Sequence, residues 1–365
     1  MKFNSLLFLI LALLFCFNCS GETTYVIEEI DGVKQVKNHA SVWGENPGIR
    51  LEYVRTIGDL ESENEDLMFY MPSDMHIDDS GRIYILDSGN YKVKVFDESL
   101  KLLYSFGSQG EGPGEFQYPS HFFIPGDGKV YVFDANMIDI FLTDGKFIET
   151  MTSPFRYSSI VTLTSNGEYL TTHMPYPFPG IEEKDKLVEL IDKDGNAVFS
   201  VCDVVYRGED FDKIGLNEMN ASISPDNFLF ISLKYRNMIE KYTMDGELLY
   251  RIERPLNYPV EDHREYSYQG RAITGSTAIN RGFGFDSKGR TWMMTNKMQF
   301  EDGFQIPDFI YFHVFDSDGV FLGEVEHPPT EGVWARTLKI FGDRFFLIDR
   351  GDMSVIREFK IADSD

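Results

Sequence analysis

The chain has 365 residues, of which 42% are hydrophobic and 15% aromatic, so it is long enough to bury a large core in one or two domains. Its 59 acidic residues outnumber its 34 basic residues, which gives a formal net charge of −25 at pH 7. Because a surface of this sign repels polyanions, we do not expect nucleic acid as a partner.

The first residues have the pattern of a secretory signal peptide. Lys2 precedes an apolar run from Leu6 to Phe17, which is too short to cross a bilayer because a spanning helix needs about 20 residues. We therefore assign residues 1–18 to a signal peptide. The next residue is Cys19, and Cys16-Phe17-Asn18-Cys19 resembles a bacterial lipobox, although Asn18 stands where a small residue is usual.

We predict that Cys19 is lipidated, with plain secretion as the alternative. Ser20 follows the cysteine in place of the Asp that signals retention in the inner membrane, so the resemblance implies an outer-membrane lipoprotein, facing the periplasm or the cell surface. The protein would then meet the membrane only through this anchor. Residues 19–47 are expected to form a tether with a small hairpin around Asp31-Gly32, and residues 48–365 form the main domain.

The stretch from Met71 to Pro119 contains four short runs rich in β-branched, aromatic and leucine residues, separated by turn signals. The runs predict four strands, at Asp74–Ile77, Arg82–Leu86, Tyr91–Phe96 and Leu102–Phe106. Such a unit of roughly 45 to 50 residues is a four-stranded antiparallel sheet of the size of a propeller blade.

The same unit recurs along the chain. The 208 positions from Gly81 to Gly289 span four repeats, or 52 residues each. The turn between the first and second strands appears six times, at Asp79-Ser80-Gly81, Gly126-Asp127-Gly128, Ser165-Asn166-Gly167, Ser224-Pro225-Asp226-Asn227, Ser287-Lys288-Gly289 and Phe341-Gly342-Asp343. The sequence therefore predicts an all-β fold, a six-bladed β-propeller with four-stranded antiparallel blades.

A closed ring would leave no blade short of a strand, yet the last unit, Trp334–Ile361, contains only three. Leu51–Gly58 has the same pattern as the fourth strand of blade one, Leu100–Gly107. Because an open end would expose unpaired strand edges, we expect this N-terminal strand to complete blade six and close the ring. The alternative is an unrelated N-terminal strand.

Two adjacent motifs in the first blade indicate a family. The run from Asp78 to Asp87 (DDSGRIYILD) and the loop from Gly107 to Phe116 (GSQGEGPGEF) resemble NHL-repeat proteins, and most closely the bacterial six-bladed β-propeller lipoproteins, which are largely uncharacterised. The leader Tyr25–Asn38 is also similar to theirs. The resemblance implies the fold far more firmly than an activity.

The long connections all fall on one face of such a ring, together with the links between blades. They comprise residues 173–186, 203–218, 255–281 and 296–308. Long loops in a compact domain are often functional, and aromatic side chains on them can stack on sugars or grip a peptide. We therefore predict ligand binding through Tyr176, Tyr266, Tyr268, Arg271 and Phe304; the alternative is that these residues only pack the loops against the propeller.

The inner strands line the central channel. Counting back seven residues from each first turn places Asp74, His121, Asn220 and Arg336 at the channel mouth, with His76 two positions deeper than Asp74. These side chains could converge on a ligand, or could pair with one another around water. A register slip of one residue in blades four and six would replace Asn220 and Arg336.

We therefore predict an envelope-anchored, monomeric binding module for a small molecule, glycan, peptide or envelope protein, without a cofactor, and we favour this over an enzyme. The alternative is a metal-dependent lactonase or lyase-type hydrolase, as found on related folds, in which Asp74, His121 and Asn220 would hold a divalent ion such as calcium. A third hypothesis is an assembly scaffold that uses the acidic outer surface. Fold similarity alone does not decide between these.

Overall fold

The computed structural model describes residues 23–58, 64–153, 158–164, 166–175, 184–208, 214–256, 264–268, 271–275, 278–301, 304–327, 335–349 and 354–364. Within these ranges the side chains are described except at residues 158–160, 264–268, 271–275, 296–301, 304–309 and 335–336.

The described chain is built from strands. The N-terminal strands are β1 (Tyr25–Ile30), β2 (Val33–Asn38) and β3 (Ile49–Ile57). Blade one contains β4 (Pro72–Ile77), β5 (Ile83–Asp87), β6 (Lys92–Phe96) and β7 (Leu102–Phe106). Blade two contains β8 (Pro119–Phe123), β9 (Lys129–Asp134), β10 (Met137–Leu142) and β11 (Phe147–Thr152). Blade three contains β12 (Ser158–Leu163), β13 (Tyr169–His173), β14 (Lys186–Ile191) and β15 (Ala197–Asp203).

The second half continues the pattern with one addition. Blade four contains β16 (Met219–Ile223), β17 (Leu229–Leu233), β18 (Ile239–Tyr242) and β19 (Leu248–Glu253). A separate hairpin of β20 (Arg264–Tyr268) and β21 (Arg271–Gly275) follows. Blade five contains β22 (Gly282–Phe285), β23 (Thr291–Glu301), β24 (Phe304–Phe315) and β25 (Phe321–Glu326), and blade six begins with β26 (Ala335–Phe341), β27 (Arg344–Asp349) and β28 (Ile356–Asp363). The helical elements in the described ranges are short 3-10 turns at Glu65–Leu67, Ser88–Asn90 and Gly215–Asn217.

Each blade is an antiparallel meander, and the prediction of a six-bladed, all-β propeller is confirmed. The repeated turns follow from the side chain of Asp. In blade one, Asp78 Oδ1 accepts hydrogen bonds from the backbone N–H groups of Ser80 and Arg82 at 3.0 Å each. Gly81 then adopts φ +82°, a left-handed conformation that costs glycine little. This local chemistry explains why the Asp-x-x-Gly signal located the turns.

The ring closes through the N-terminal strand, as the pattern predicted. β3 pairs antiparallel with β28 and forms the fourth strand of blade six, with Ile57 opposite Ile356 and Ile49 opposite Asp363. A bulge between Glu358 and Phe359 shifts the register within this pair. β28 therefore has a partner strand on both sides, and no unpaired edge is left where the two ends of the chain meet.

Residues 25–57, which we call the N-terminal strap, run along the outer edges of three consecutive blades. β1 and β2 form a hairpin whose turn is Asp31-Gly32, and β2 pairs in parallel with β19 of blade four. The strap then passes blade five, where the N–H groups of Val42 and Trp43 donate to the carbonyls of Phe321 and Leu322 at 3.2 and 2.8 Å. It ends as β3 in blade six. The segment expected to be a tether thus includes strands that extend the ring.

The core lies between neighbouring blades, where the apolar faces of their strands meet. Blades one and two enclose Tyr84, Val95, Phe116 and Phe141, and blades five and six enclose Trp292, Phe312, Phe345 and Phe359. All of these side chains are buried. Burial of large aromatic groups between blades fixes the angle at which each inner strand faces the central channel.

Candidate functional site

A cavity of about 1030 Å³ occupies the central channel, and the inner strands of all six blades contribute to it. Its lining is mixed. Rings project from Phe123, Phe283 and Phe341, while hydroxyl and amide groups are supplied by Thr162, Thr164, Asn166, Asn220, Ser222, Asn227 and Thr337. A concave space of this size with few charges and several polar groups is typical of small-molecule sites.

The cavity reaches the face of the ring that carries the short turns. Asn166 and Asn227 belong to the first-to-second strand turns of blades three and four, and Met244 belongs to the third-to-fourth turn of blade four. Ligand binding was expected on the opposite face, where the long connections lie. Each of those connections is described only in part. The described lining of the cavity opens at the short-turn face instead.

Asp74 is buried behind the channel wall, with 3% of its surface exposed. Its Oδ1 lies 2.7 Å from Lys339 Nζ of blade six and also accepts from the N–H of Met75, while Oδ2 accepts from the N–H of Phe122 in blade two. One carboxylate therefore connects three blades. Lys339, and not Asp74, is the member of this pair that lines the cavity.

His76 lines the cavity, as the deeper position in the count implied. Its ring meets Phe341 edge to face at 5.4 Å between centroids. Burial, and then the nearby ammonium of Lys339, lower the pKa of His76 below its ordinary value. The imidazole is therefore neutral at pH 7 and can offer a ligand one donor and one acceptor.

Of the other residues predicted at the channel mouth, Asn220 lines the cavity and His121 does not. Asn220 lines the cavity, and its amide donates weakly to the carbonyl of Asn280 at 3.4 Å. His121 is absent from the described lining: its ring stacks on Phe133 at 4.6 Å, and its Nδ1 lies 2.8 Å from Ser120 Oγ. The structure thus brings His76 and Asn220 to the cavity but does not bring Asp74 and His121 there.

Arg336 lies in β26, and its side chain is outside the described set. A register shift between Ala335 and Thr337 marks a bulge at this point. Beyond the bulge, three consecutive residues, Thr337, Leu338 and Lys339, all contribute to the lining. A count with a strict period of two, which gives positions 336 and 338, therefore misses Lys339.

The predicted loop residues are placed only in part. Cys19 and Tyr176 lie outside the described residues. Tyr266, Tyr268 and Arg271 belong to the β20–β21 hairpin, in which Tyr268 pairs with Arg271 beside the turn, and Phe304 begins β24 opposite Glu301. Two of the segments expected to be loops therefore form antiparallel hairpins, although the side chains concerned are not described.

Sequence reasoning also missed two charged groups on the lining, Arg281 and Glu168. Arg281 directly precedes the inner strand of blade five, and Glu168 lies just before the second strand of blade three, where Thr164 Oγ1 donates to it at 3.2 Å. Glu168 flanks a turn that the sequence had located, and Arg281 ends the long connection 255–281, so their positions next to strands were the available signal. With Lys339, they give the described lining two cations and one carboxylate.

The described residues contain no group of three or more His, Cys, Asp or Glu side chains arranged to hold a metal ion. No helix among them is long and apolar enough to cross a membrane.

Comparison with known proteins identifies the family. A family model described as 6-bladed beta-propeller, DUF5128, matches residues 59–253, and NHL repeat-containing protein 3 of Homo sapiens is 27% identical over 131 residues, or 34% of this chain. The match spans only 38% of that relative. A Bacteroides fragilis protein described as exported has a TM-score of 0.57 at 12% identity, covering 91% of this chain and 99% of its own. A DUF4221 member of Bacteroides vulgatus also reaches 0.57, at 10% identity over 88% of this chain and all of its own, and both likenesses concern the fold alone. The chain belongs to DUF5128, a family of six-bladed β-propellers.

Proposed function

We propose that this protein is a non-catalytic binding module whose central channel takes a neutral glycan. Among a small molecule, a glycan, a peptide and an envelope protein, the glycan fits the lining best. The observation that carries this proposal is the 1030 Å³ cavity, whose lining combines amide and hydroxyl groups with aromatic side chains. Sugars present many hydroxyls, which amides can serve both as donors and as acceptors, and their apolar faces stack on aromatic rings.

The contacts of Asp74 and His121 favour this role over metal-dependent hydrolysis. That alternative needs Asp74, His121 and Asn220 to converge on an ion. Both carboxylate oxygens of Asp74 already accept hydrogen bonds or pair with Lys339, and His121 stacks against Phe133. These contacts support structural roles for the two residues, and elemental analysis of the purified protein for calcium tests the alternative directly.

The binding test is a neutral-oligosaccharide array followed by calorimetric titration of the purified protein. Ser222→Trp fills the channel and should weaken binding at least about tenfold. Ser105→Trp places the same ring on the exposed outer strand of blade one and should leave affinity unchanged. Asn166→Trp, at the exposed end of the cavity, repeats the test if the first variant folds poorly. Equal binding by all three, or no binding of any oligosaccharide, would refute the proposal.

We further propose that the protein is exported and anchored to the outer membrane through a lipid on Cys19. The lipobox-like Cys16–Cys19 segment supports this, as does the apolar run from Leu6 to Phe17 that precedes it. Labelling of cells with a tagged fatty acid should mark the native chain and not a Cys19→Ala variant. Equal labelling of both, or a variant that stays with the membrane fraction, would contradict the anchor.

A further inference from the structure

A second cavity, of about 770 Å³, lies on the outside of the ring between the N-terminal strap and blade five. The strap supplies one wall with Trp43 and Pro47. Strands β24 and β25 supply the other, with His313, Glu324 and Glu326, and Pro255 and Leu256 close one side. We call this space the strap pocket. It shares no lining residue with the central channel.

The aromatic wall is fixed in place by the backbone. Trp43 is held by its N–H bond to Leu322 O, and Ser41 Oγ donates to the same carbonyl at 2.8 Å. The indole lies against Gly323, where an added Cβ would come within 2.7 Å of Trp43 Cε3. A glycine at this position is therefore what lets the ring approach β25 so closely. The ring is set before any ligand arrives, which reduces the entropy lost on binding.

The floor of the pocket orients a carboxylate. Arg254 Nε donates to His313 Nδ1 at 2.6 Å, and because a guanidinium can only donate, the imidazole proton lies on Nε2. That nitrogen lies 3.2 Å from Glu324 Oε2 and donates to it. His313 is 4% exposed, and burial lowers its pKa to about 4, so it is neutral at pH 7. Glu324 Oε1 has no hydrogen-bond partner among the described residues, and the side chain is 38% exposed.

The charge of the lining favours a cation. Glu45, Glu324 and Glu326 contribute three carboxylates, against the single guanidinium of Arg50. Arg50 is engaged elsewhere, at 2.7 Å from Glu52 and 2.5 Å from the carbonyl of Asp363. Arg254 lies beneath the imidazole with 3% exposure and does not contribute to the lining.

We propose that the strap pocket binds an organic cation, an ammonium group carried on an apolar body. The ammonium pairs with the free oxygen of Glu324, and the face of Trp43 contacts the cation and its adjacent methylene groups. The prolines and Leu256 cover the apolar remainder. Because the pocket exists only while the strap rests on β25, an occupant also holds the strap against blade five.

Hexylammonium is the probe, with hexanol as its uncharged counterpart. Calorimetry should show millimolar or tighter binding of the cation, about ten times stronger than that of the alcohol. Hydrogen exchange should slow at the amides of Val42 and Trp43, which donate to β25, and should not change in the same way with hexanol.

Variants locate the site. Glu324→Gln should weaken hexylammonium about tenfold, and Trp43→Leu about threefold or more. Glu29→Gln removes a carboxylate from the exposed strand of the same strap and should have no effect. Failure of the cation to bind, equal binding of hexanol, or unchanged affinity in Glu324→Gln would overturn the proposal. Calcium binding that displaces hexylammonium would instead assign the carboxylates to a metal ion and would overturn it as well.

Discussion

Asn38 connects the strap to two blades through a single buried amide. Its Nδ2 donates to the carbonyls of Glu253 in blade four and Gly319 in blade five, at 2.9 and 3.1 Å. Its Oδ1 accepts from the N–H of Phe321 at 2.8 Å. The side chain is 6% exposed, so water cannot readily replace these bonds. We predict that Asn38→Ala loosens the strap from both blades at once.

The magnitude follows from the groups left behind. Asn38→Ala leaves two carbonyls and one N–H without the amide that they contact. A buried polar group without a partner costs about 1–3 kcal/mol, and partial entry of water reduces the sum. We therefore expect the free energy of unfolding to fall by about 2–4 kcal/mol, a large part of the stability of an ordinary domain.

Urea unfolding of the wild type and the variant measures this loss from the midpoint and the slope. Asn46→Ala is the matched control, because Asn46 is exposed on the same strap and has no hydrogen bond to any other described residue; its effect should stay within about 0.5 kcal/mol. If Asn38→Ala shifts the midpoint no more than Asn46→Ala does, the strap contributes little to stability and the reasoning fails.

Three further predictions concern other contacts. The pKa of His313 in the folded protein is about 4, against an ordinary value of 6.5, so the unfolded chain binds more protons between these two pH values. The free energy of unfolding should therefore fall by up to about 3 kcal/mol as the pH drops through this range. Urea midpoints should depend less on pH in His313→Gln than in the wild type. Asp74→Ala leaves the ammonium of Lys339 without its carboxylate and should lower the free energy of unfolding by about 2–4 kcal/mol, with or without calcium. A melting shift of the wild type that appears only with calcium, and that vanishes in the variant, would instead indicate a metal site. Gly323→Ala places a methyl group against the indole of Trp43 and should lower the free energy of unfolding by about 1–3 kcal/mol. Amide hydrogen exchange in the strap should become faster. Exchange at the wild-type rate would contradict the close approach of Trp43 to β25.

Much of the fold was readable because its turns repeat. Asp-x-x-Gly and Asp-Gly turns are stabilised by hydrogen bonds and glycine conformations within the turn itself. They recur along the chain at the length of one propeller blade, which predicts the fold. The strand predicted at Leu102–Phe106 matches β7, and Leu51–Gly58 was correctly assigned to the last blade because its pattern matched another fourth strand. The β20–β21 hairpin was missed because its two strands pair with each other, outside the repeat. The hairpin at residues 296–308 was missed because it extends β23 and β24 of blade five beyond the length of the repeat.

The site was less readable because a channel depends on the phase of every inner strand. The count gave Asp74 as a channel residue, but Asp74 lies behind the wall and its partner Lys339 is on the lining. Pairing between blades, such as Asp74 with Lys339, joins residues far apart in the chain, and no local pattern reports it. For the aromatic residues of the long connections, ligand binding stays a prediction.

The strap also fixes the order in which the ring can be completed during synthesis. Asn38 forms hydrogen bonds with Glu253, Gly319 and Phe321, which lie 215, 281 and 283 positions later in the chain. β3 can pair only after β28 has been made. Blades one to three can form as they emerge, and β1 can pair with β2 at once. The other edge of β2 waits for β19, and β3 remains without a partner until almost the whole chain is present. Contacts of such long range slow folding and leave strand edges open to aggregation in the interval. A chain that stops before residue 356 loses the partner of β3, so premature termination yields an open ring with a free, apolar edge.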